Sequence, residues 1–72
     1  MIGFLTNAME QKNKIMIYYL GKDNNVTQRI IRVVQIEETK ILAYCYYRKQ
    51  VRSFIIDNIL SFGRVNEENK YG

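Results

Sequence analysis

The chain has no histidine, no proline and a single cysteine, Cys45, and these absences narrow what it can do. Without histidine the commonest general base is missing, and the usual Cys/His metal site cannot form. Cys45 lies in an apolar run with no activating neighbour, which favours a buried, unreactive thiol. Gly21 and Gly63 are isolated, so no glycine-rich phosphate loop is present. We therefore expect no enzyme activity, no catalytic residue, no metal and no cofactor.

Long hydrophobic segments are also absent. The longest apolar run covers residues 41–47, far short of the roughly 20 residues that a transmembrane helix needs. The N-terminus, residues 1–5, has neither the positive region nor the small-residue cleavage site of a signal peptide. With one cysteine no internal disulfide can form, so a reducing, cytoplasmic location without membrane contact is expected.

A chain of 72 residues can form one domain, close to the lower size limit for independent folding. We expect that domain to cover residues 1–66, followed by a polar, frayed tail over residues 67–72. Hydrophobic residues make up 47% of the sequence. Val, Ile, Tyr and Phe dominate them, which favours strands over helices.

Hydrophobic periodicity predicts a short N-terminal helix followed by four or five strands. The second strand is long and apolar on both faces, so we expect it to bend and to change its inward face midway. The order fits a small antiparallel barrel. The predicted elements are a helix over residues 2–11, strands over 14–20, 26–37, 41–48, 51–56 and 62–65, a hairpin loop at 21–25, a tight connection at 48–50 and a turn at 57–61.

The net charge is +4, and the positive residues concentrate on the predicted strands. Residues 41–56 hold Arg48, Lys49 and Arg52 with no acidic residue. Alternation along the third strand puts Leu42, Tyr44, Tyr46 and Arg48 on one face and Ile41, Ala43, Cys45 and Tyr47 on the core face.

Two interpretations of these arginines and tyrosines remain open. Guanidinium groups bind phosphates bidentately and tyrosine rings stack on bases, which would make a surface for single-stranded nucleic acid or a nucleotide. Alternatively, the tyrosines fill the barrel or a dimer contact, and the arginines pair with Glu37 or Asp57 or protect sheet edges.

The order of these motifs resembles the WYL domain of bacterial transcriptional regulators and defence proteins. The resemblance spans roughly residues 5–65, with the Trp-Tyr-Leu triplet replaced by Thr39, Lys40 and Ile41. The matching positions are Ile17, Tyr19, Gly21, Arg29, the Ala-Tyr-Cys-Tyr-Tyr-Arg run over 43–48, Arg52, Phe54 and Ile59.

WYL domains are small Sm/SH3-like β-barrels, regarded as sensor modules whose basic, aromatic-bordered groove takes nucleic-acid or nucleotide ligands. The resemblance thus implies a mainly β, Sm/SH3-like antiparallel barrel and a ligand sensor in transcription regulation. Arg52 is the strongest match, while Lys40 retains a cation but has no ring to stack. The implied ligand residues are Arg29, Arg48, Arg52, Tyr44, Tyr19 and Lys40.

WYL domains usually follow a helix-turn-helix, for which 72 residues leave no room. We therefore expect a divergent, stand-alone member that acts alone or with a separate regulator protein. The rival interpretation is a protein–protein interaction or self-associating module with no nucleic-acid ligand. Its basis is the two-sided apolar first strand and the small core, both of which a homodimer would relieve.

Overall fold

A computed structural model describes residues 1–65, which form one helix and five strands. All paired strands are antiparallel, and their order in the sheet is β4-β3-β2-β1-β5. The predicted mainly β fold with a short N-terminal helix is confirmed. The predicted tail over 67–72 and the boundary at 66 lie outside the described residues. The elements are α1 (Ile2–Gln11), β1 (Ile15–Leu20), β2 (Val26–Ile36), β3 (Lys40–Cys45), β4 (Gln50–Ile55), a 3₁₀ turn (Ile56–Asn58) and β5 (Ile59–Arg64).

Helix α1 covers the core with one apolar side. Leu5 and Ala8, three residues apart, are buried, as expected for neighbours on one helical face. The helix ends where Lys12 adopts a left-handed conformation with φ 58°. The Lys12 and Asn13 N–H groups donate to the carbonyls of residues 9 and 8 at 3.2 and 3.0 Å, which satisfies groups that a helix end leaves open.

The core lies on the inner face of the sheet. Ile31 of the central strand β2 pairs with Ile15 on one side and Cys45 on the other, and all three are fully or almost fully buried. No polar side chain is buried within residues 1–65. The other buried inner-face residues are Ile17, Val33, Ile41, Ala43, Phe54 and Ile59.

Strand β2 bends where its pairing with β3 shifts between Val33 and Gln35. Val33 is buried, Gln35 is exposed, and Ile36 again packs against the core. The predicted change of inward face is therefore confirmed, and a β-bulge is its cause. The sheet curls: Tyr19 on β1 accepts a hydrogen bond from the Ile55 N–H on β4 at 2.9 Å, although these strands are not neighbours.

The predicted third strand is too long. It ends at Cys45, and residues 46–49 form a turn that the Lys49 N–H closes on the Cys45 carbonyl at 2.7 Å. Lys49 adopts φ 58°, which allows this four-residue loop. The predicted tight connection at 48–50 is therefore wrong. Tyr47, predicted on the core face, is 83% exposed because it lies in the turn.

The last strand begins earlier than predicted. Ile59 already pairs with Tyr19 of β1, and a register shift follows between Tyr19 and Tyr18. Ile59 is buried in the core where it pairs with β1. Only residues 56–58 of the segment before it form a 3₁₀ turn, so the predicted turn over 57–61 is too long.

Replacing isoleucine by valine at two positions tests the importance of the central row. Ile31→Val removes one methylene from a fully buried site and should lower the free energy of unfolding by about 0.5–1.5 kcal/mol. Ile55→Val makes the same change at a 49% exposed site and should stay within about 0.5 kcal/mol of the parent. Urea denaturation measures both. Equal losses would contradict the assignment of Ile31 to the core.

Candidate functional site

An open cleft of about 730 Å³ lies between β2 and the β3–β4 turn, and we call it the turn cleft. Its walls are residues 27–30 of β2 and residues 46–48 of the turn. Two predicted ligand residues, Arg29 and Arg48, therefore line one cleft together with Tyr46 and Tyr47. No carboxylate of residues 1–65 forms an ion pair with either arginine.

Arg29 is held at the inner edge of the turn cleft. It lies on the same face of β2 as Ile31 and is half-buried, and its Nε donates to Thr27 Oγ1 at 3.1 Å. Its positive charge lies close enough to the Cys45 thiol to lower the pKa of that group. These contacts restrict the arginine before any ligand arrives, which reduces the entropy that binding must remove.

Cys45 is buried, as expected, and its backbone carbonyl accepts the Lys49 N–H that closes the turn. Burial alone would raise the pKa of the thiol, but hydrogen bonds from the Arg48 backbone N–H, the Arg29 side chain and the Tyr47 backbone N–H lower it below its usual value. The residue is fully inaccessible, so the thiol is not placed to attack a substrate.

The outer part of the turn cleft presents an arginine beside an exposed ring. The guanidinium carbon of Arg48 lies 5.9 Å from the Tyr47 ring centroid, at the limit of a cation–π contact. Both side chains are exposed. Arg48 can therefore bind an anion, and the Tyr47 ring can stack on a flat group such as a base, without loss of core packing.

A second open cleft, of about 620 Å³, lies between the end of α1 and the sheet, and we call it the helix cleft. Lys12, Lys14 and Arg64 border it, and Tyr46 lines it as well as the turn cleft. The Lys14 Nζ lies 4.7 Å from the Tyr46 ring centroid. The Tyr44 ring packs edge-on against the ring of Tyr46 at 5.0 Å between centroids.

Arg52 and Tyr44 lie on opposite faces of the sheet. Arg52 pairs with Ala43, whose side chain is in the core, so Arg52 lies on the inner face of β4, exposed at the edge of the sheet. Tyr44 pairs with Arg32 and Val51 and lies on the outer face. Neither residue lines the turn cleft, and their roles as ligand residues stay predictions.

Tyr19 and Lys40 have structural contacts away from the turn cleft. The Tyr19 ring packs edge-on against Phe54 at 5.0 Å between centroids, and its hydroxyl binds the Ile55 N–H. The Lys40 Nζ lies 4.0 Å from a carboxylate oxygen of Glu37. Glu37, one of the two acids that the alternative interpretation paired with an arginine, therefore pairs with Lys40.

Several residues that border the clefts were not among the predicted ligand residues: Tyr46, Tyr47, Lys12, Lys14 and Arg64. The adjacent aromatic pair directly before Arg48 was a usable signal for the two tyrosines. The sequence carried no signal for Arg64, because its position beside the end of α1 depends on the pairing of Arg64 in β5 with Ile15 in β1.

No protein-family model and no curated protein matches the sequence. Among solved structures, the chain is similar to part of proteasome accessory factor B/C (PafBC) of Arthrobacter aurescens, with a TM-score of 0.75 and 21% sequence identity. The likeness covers 99% of this chain but only 12% of that chain. It shows a shared fold. Residues 1–65 contain no helix long and apolar enough to cross a membrane, and no cluster of metal-binding side chains.

Tyr19→Phe tests whether the Tyr19 hydroxyl closes the curled sheet. The change keeps the ring against Phe54 but removes the acceptor of the Ile55 N–H, so the free energy of unfolding should fall by about 1 kcal/mol. Tyr44→Phe is the matched control, because the Tyr44 hydroxyl has no hydrogen bond to residues 1–65. Urea denaturation compares the two, and an equal effect would contradict the proposed closure.

Proposed function

We propose that the chain is a non-enzymatic, WYL-like regulatory module with an Sm/SH3-like barrel, and that its turn cleft binds phosphate groups of single-stranded nucleic acid or a nucleotide. The observation that carries the proposal is the convergence of Arg29 and Arg48 on one cleft with Tyr46 and Tyr47. Guanidinium groups bind phosphate oxygens in bidentate pairs. Tyrosine rings stack on bases of any identity, because every base has a π-face.

The two arginines divide the work of binding. Arg29 is held by its hydrogen bond to Thr27 and offers a preorganised donor at the inner edge of the cleft. Arg48 is exposed on the turn and can adjust to the ligand. Because neither is paired with a carboxylate of residues 1–65, their charge is available to an anion. A phosphate between them would accept charge-assisted hydrogen bonds from both.

The structural neighbour supports a regulatory role. PafBC is a regulator that contains a WYL domain, and the motifs over residues 17–59 resemble the same domain type. Since this chain matches only 12% of PafBC, we infer a sensing or partner-binding part of a regulatory system rather than the activity of the whole protein. A cytoplasmic location belongs to the same proposal.

Self-association is the second candidate function, and the edge strand β4 favours it. This strand forms ladder hydrogen bonds with β3 alone and exposes Val51 and Ile55 on its outer face to 53% and 49%. An exposed edge with apolar side chains can pair with a second copy of the chain. Light scattering over a range of concentrations distinguishes a dimer from a monomer.

The turn cleft predicts a specific pattern of salt-sensitive binding. Arg48→Gln should weaken binding of a labelled oligothymidylate by about tenfold, because a charge-assisted contact is lost. It should also flatten the slope of log affinity against log salt by about 0.7, the value for one phosphate contact with a single strand. Arg29→Gln should act in the same direction. Fluorescence anisotropy across a salt series measures these changes.

Arg52→Gln distinguishes the turn cleft from the site that the family resemblance implied, since it removes the same charge from an exposed residue outside the turn cleft. The affinity of this variant should stay within about twofold of that of the parent, because the variant loses only a screened, long-range electrostatic attraction to the ligand. A loss equal to that of Arg48→Gln would place the ligand elsewhere on the sheet. If the parent binds neither oligothymidylate nor a nucleotide at low salt, the proposed function is wrong.

A further inference from the structure

The helix cleft is a second basic concavity that the phosphate site in the turn cleft does not use. Lys12, Lys14 and Arg64 border it, and no acidic residue of the described chain lines it. The cluster forms through the fold, since Lys12 ends α1, Lys14 directly precedes β1, and Arg64 reaches the same place by pairing with Ile15. Lys12 and Arg64 form no ion pair with a carboxylate of residues 1–65, so a bound anion would be attracted to both.

Tyr46 connects the two clefts. Its ring lies on the boundary between them and lines both. Tyr44 holds the ring from one side, edge-on at 5.0 Å, and the Lys14 ammonium lies 4.7 Å from the ring centroid. The backbone is fixed as well, because the Tyr46 N–H donates to the Ile30 carbonyl at 3.2 Å. A flat ring is thus supported between two groups of cations.

We propose that the helix cleft is a second phosphate subsite and that one nucleic-acid strand runs from the turn cleft across Tyr46 to the helix cleft. This inference rests on the proposed function of the turn cleft. It names the ligand class as a single-stranded oligonucleotide rather than a mononucleotide, because phosphate sites on either side of the Tyr46 ring need two phosphates separated by a nucleoside. Lys12 and Arg64 bind the second phosphate, and Tyr46 stacks on a base between the two sites.

The length of the ligand provides the first test. We expect the affinity for oligothymidylates to rise up to about 4 nucleotides, the short end of known single-strand site sizes, and then to level off once both adjoining clefts are filled. Thymidine monophosphate can fill only one subsite and should bind at least about tenfold more weakly than the longest strand. Equal affinity per molecule for the monophosphate and the long strand would overturn the inference.

A double substitution in the helix cleft provides the second test. Lys12→Gln with Arg64→Gln should weaken binding of the long strand by about tenfold or more and flatten its salt slope by about 1.4, the value for two phosphate contacts. Binding of thymidine monophosphate should stay within about twofold of the parent. The matched control is Lys22→Gln with Arg32→Gln, which removes one lysine and one arginine that line neither cleft.

The outcomes separate this inference from the proposed function. If the helix-cleft variant binds the long strand as the matched control does, while Arg48→Gln still loses affinity, the second subsite is wrong and the turn cleft stands. If neither Arg48→Gln nor the helix-cleft variant changes binding, both proposals fall. Thermal unfolding of each variant shows whether a loss of binding reflects a loss of the folded state.

Discussion

The packing of Ile31 between Ile15 and Cys45 is the contact on which the rest of the structure depends. Because side chains alternate along a strand, this one row determines which residues of three neighbouring strands face inward. Arg29 therefore shares the inner face with Ile31 and meets the Cys45 thiol. A register shift of one residue would expose the apolar row and carry Arg29 to the outer face, so the site and the core have a common origin.

The elements could be predicted from the sequence where local pattern and core packing agree. Alternation placed Ile41, Ala43 and Cys45 on the inner face, and the two-sided character of β2 indicated its bend; both are confirmed. The β3–β4 turn could not be predicted, because its geometry depends on a left-handed lysine, for which the sequence carries no signal. With that turn unknown, the position of Arg48 relative to Arg52 was also unknown.

The candidate site shows why residue type alone does not assign a role. Tyr19 and Tyr46 are both half-buried tyrosines on or beside the sheet. The Tyr19 hydroxyl is used by the Ile55 N–H and its ring by Phe54, whereas Tyr46 lies between two open clefts. The two tyrosines differ because curling of the sheet brings β4 next to Tyr19 on β1 and leaves Tyr46 in the open turn. Such long-range pairings are set by tertiary packing and leave little trace in short sequence windows.

Both clefts adjoin a lysine in a backbone conformation that glycine adopts more easily. Lys12 ends α1 with φ 58° and lines the helix cleft, and Lys49 has the same φ in the turn that carries Arg48. A side chain in this left-handed region costs about 1 kcal/mol relative to glycine. A glycine at either position would relax the backbone but would remove a cation. The chain thus gives up local stability at two loop positions and retains positive potential there, a compromise between folding and electrostatics.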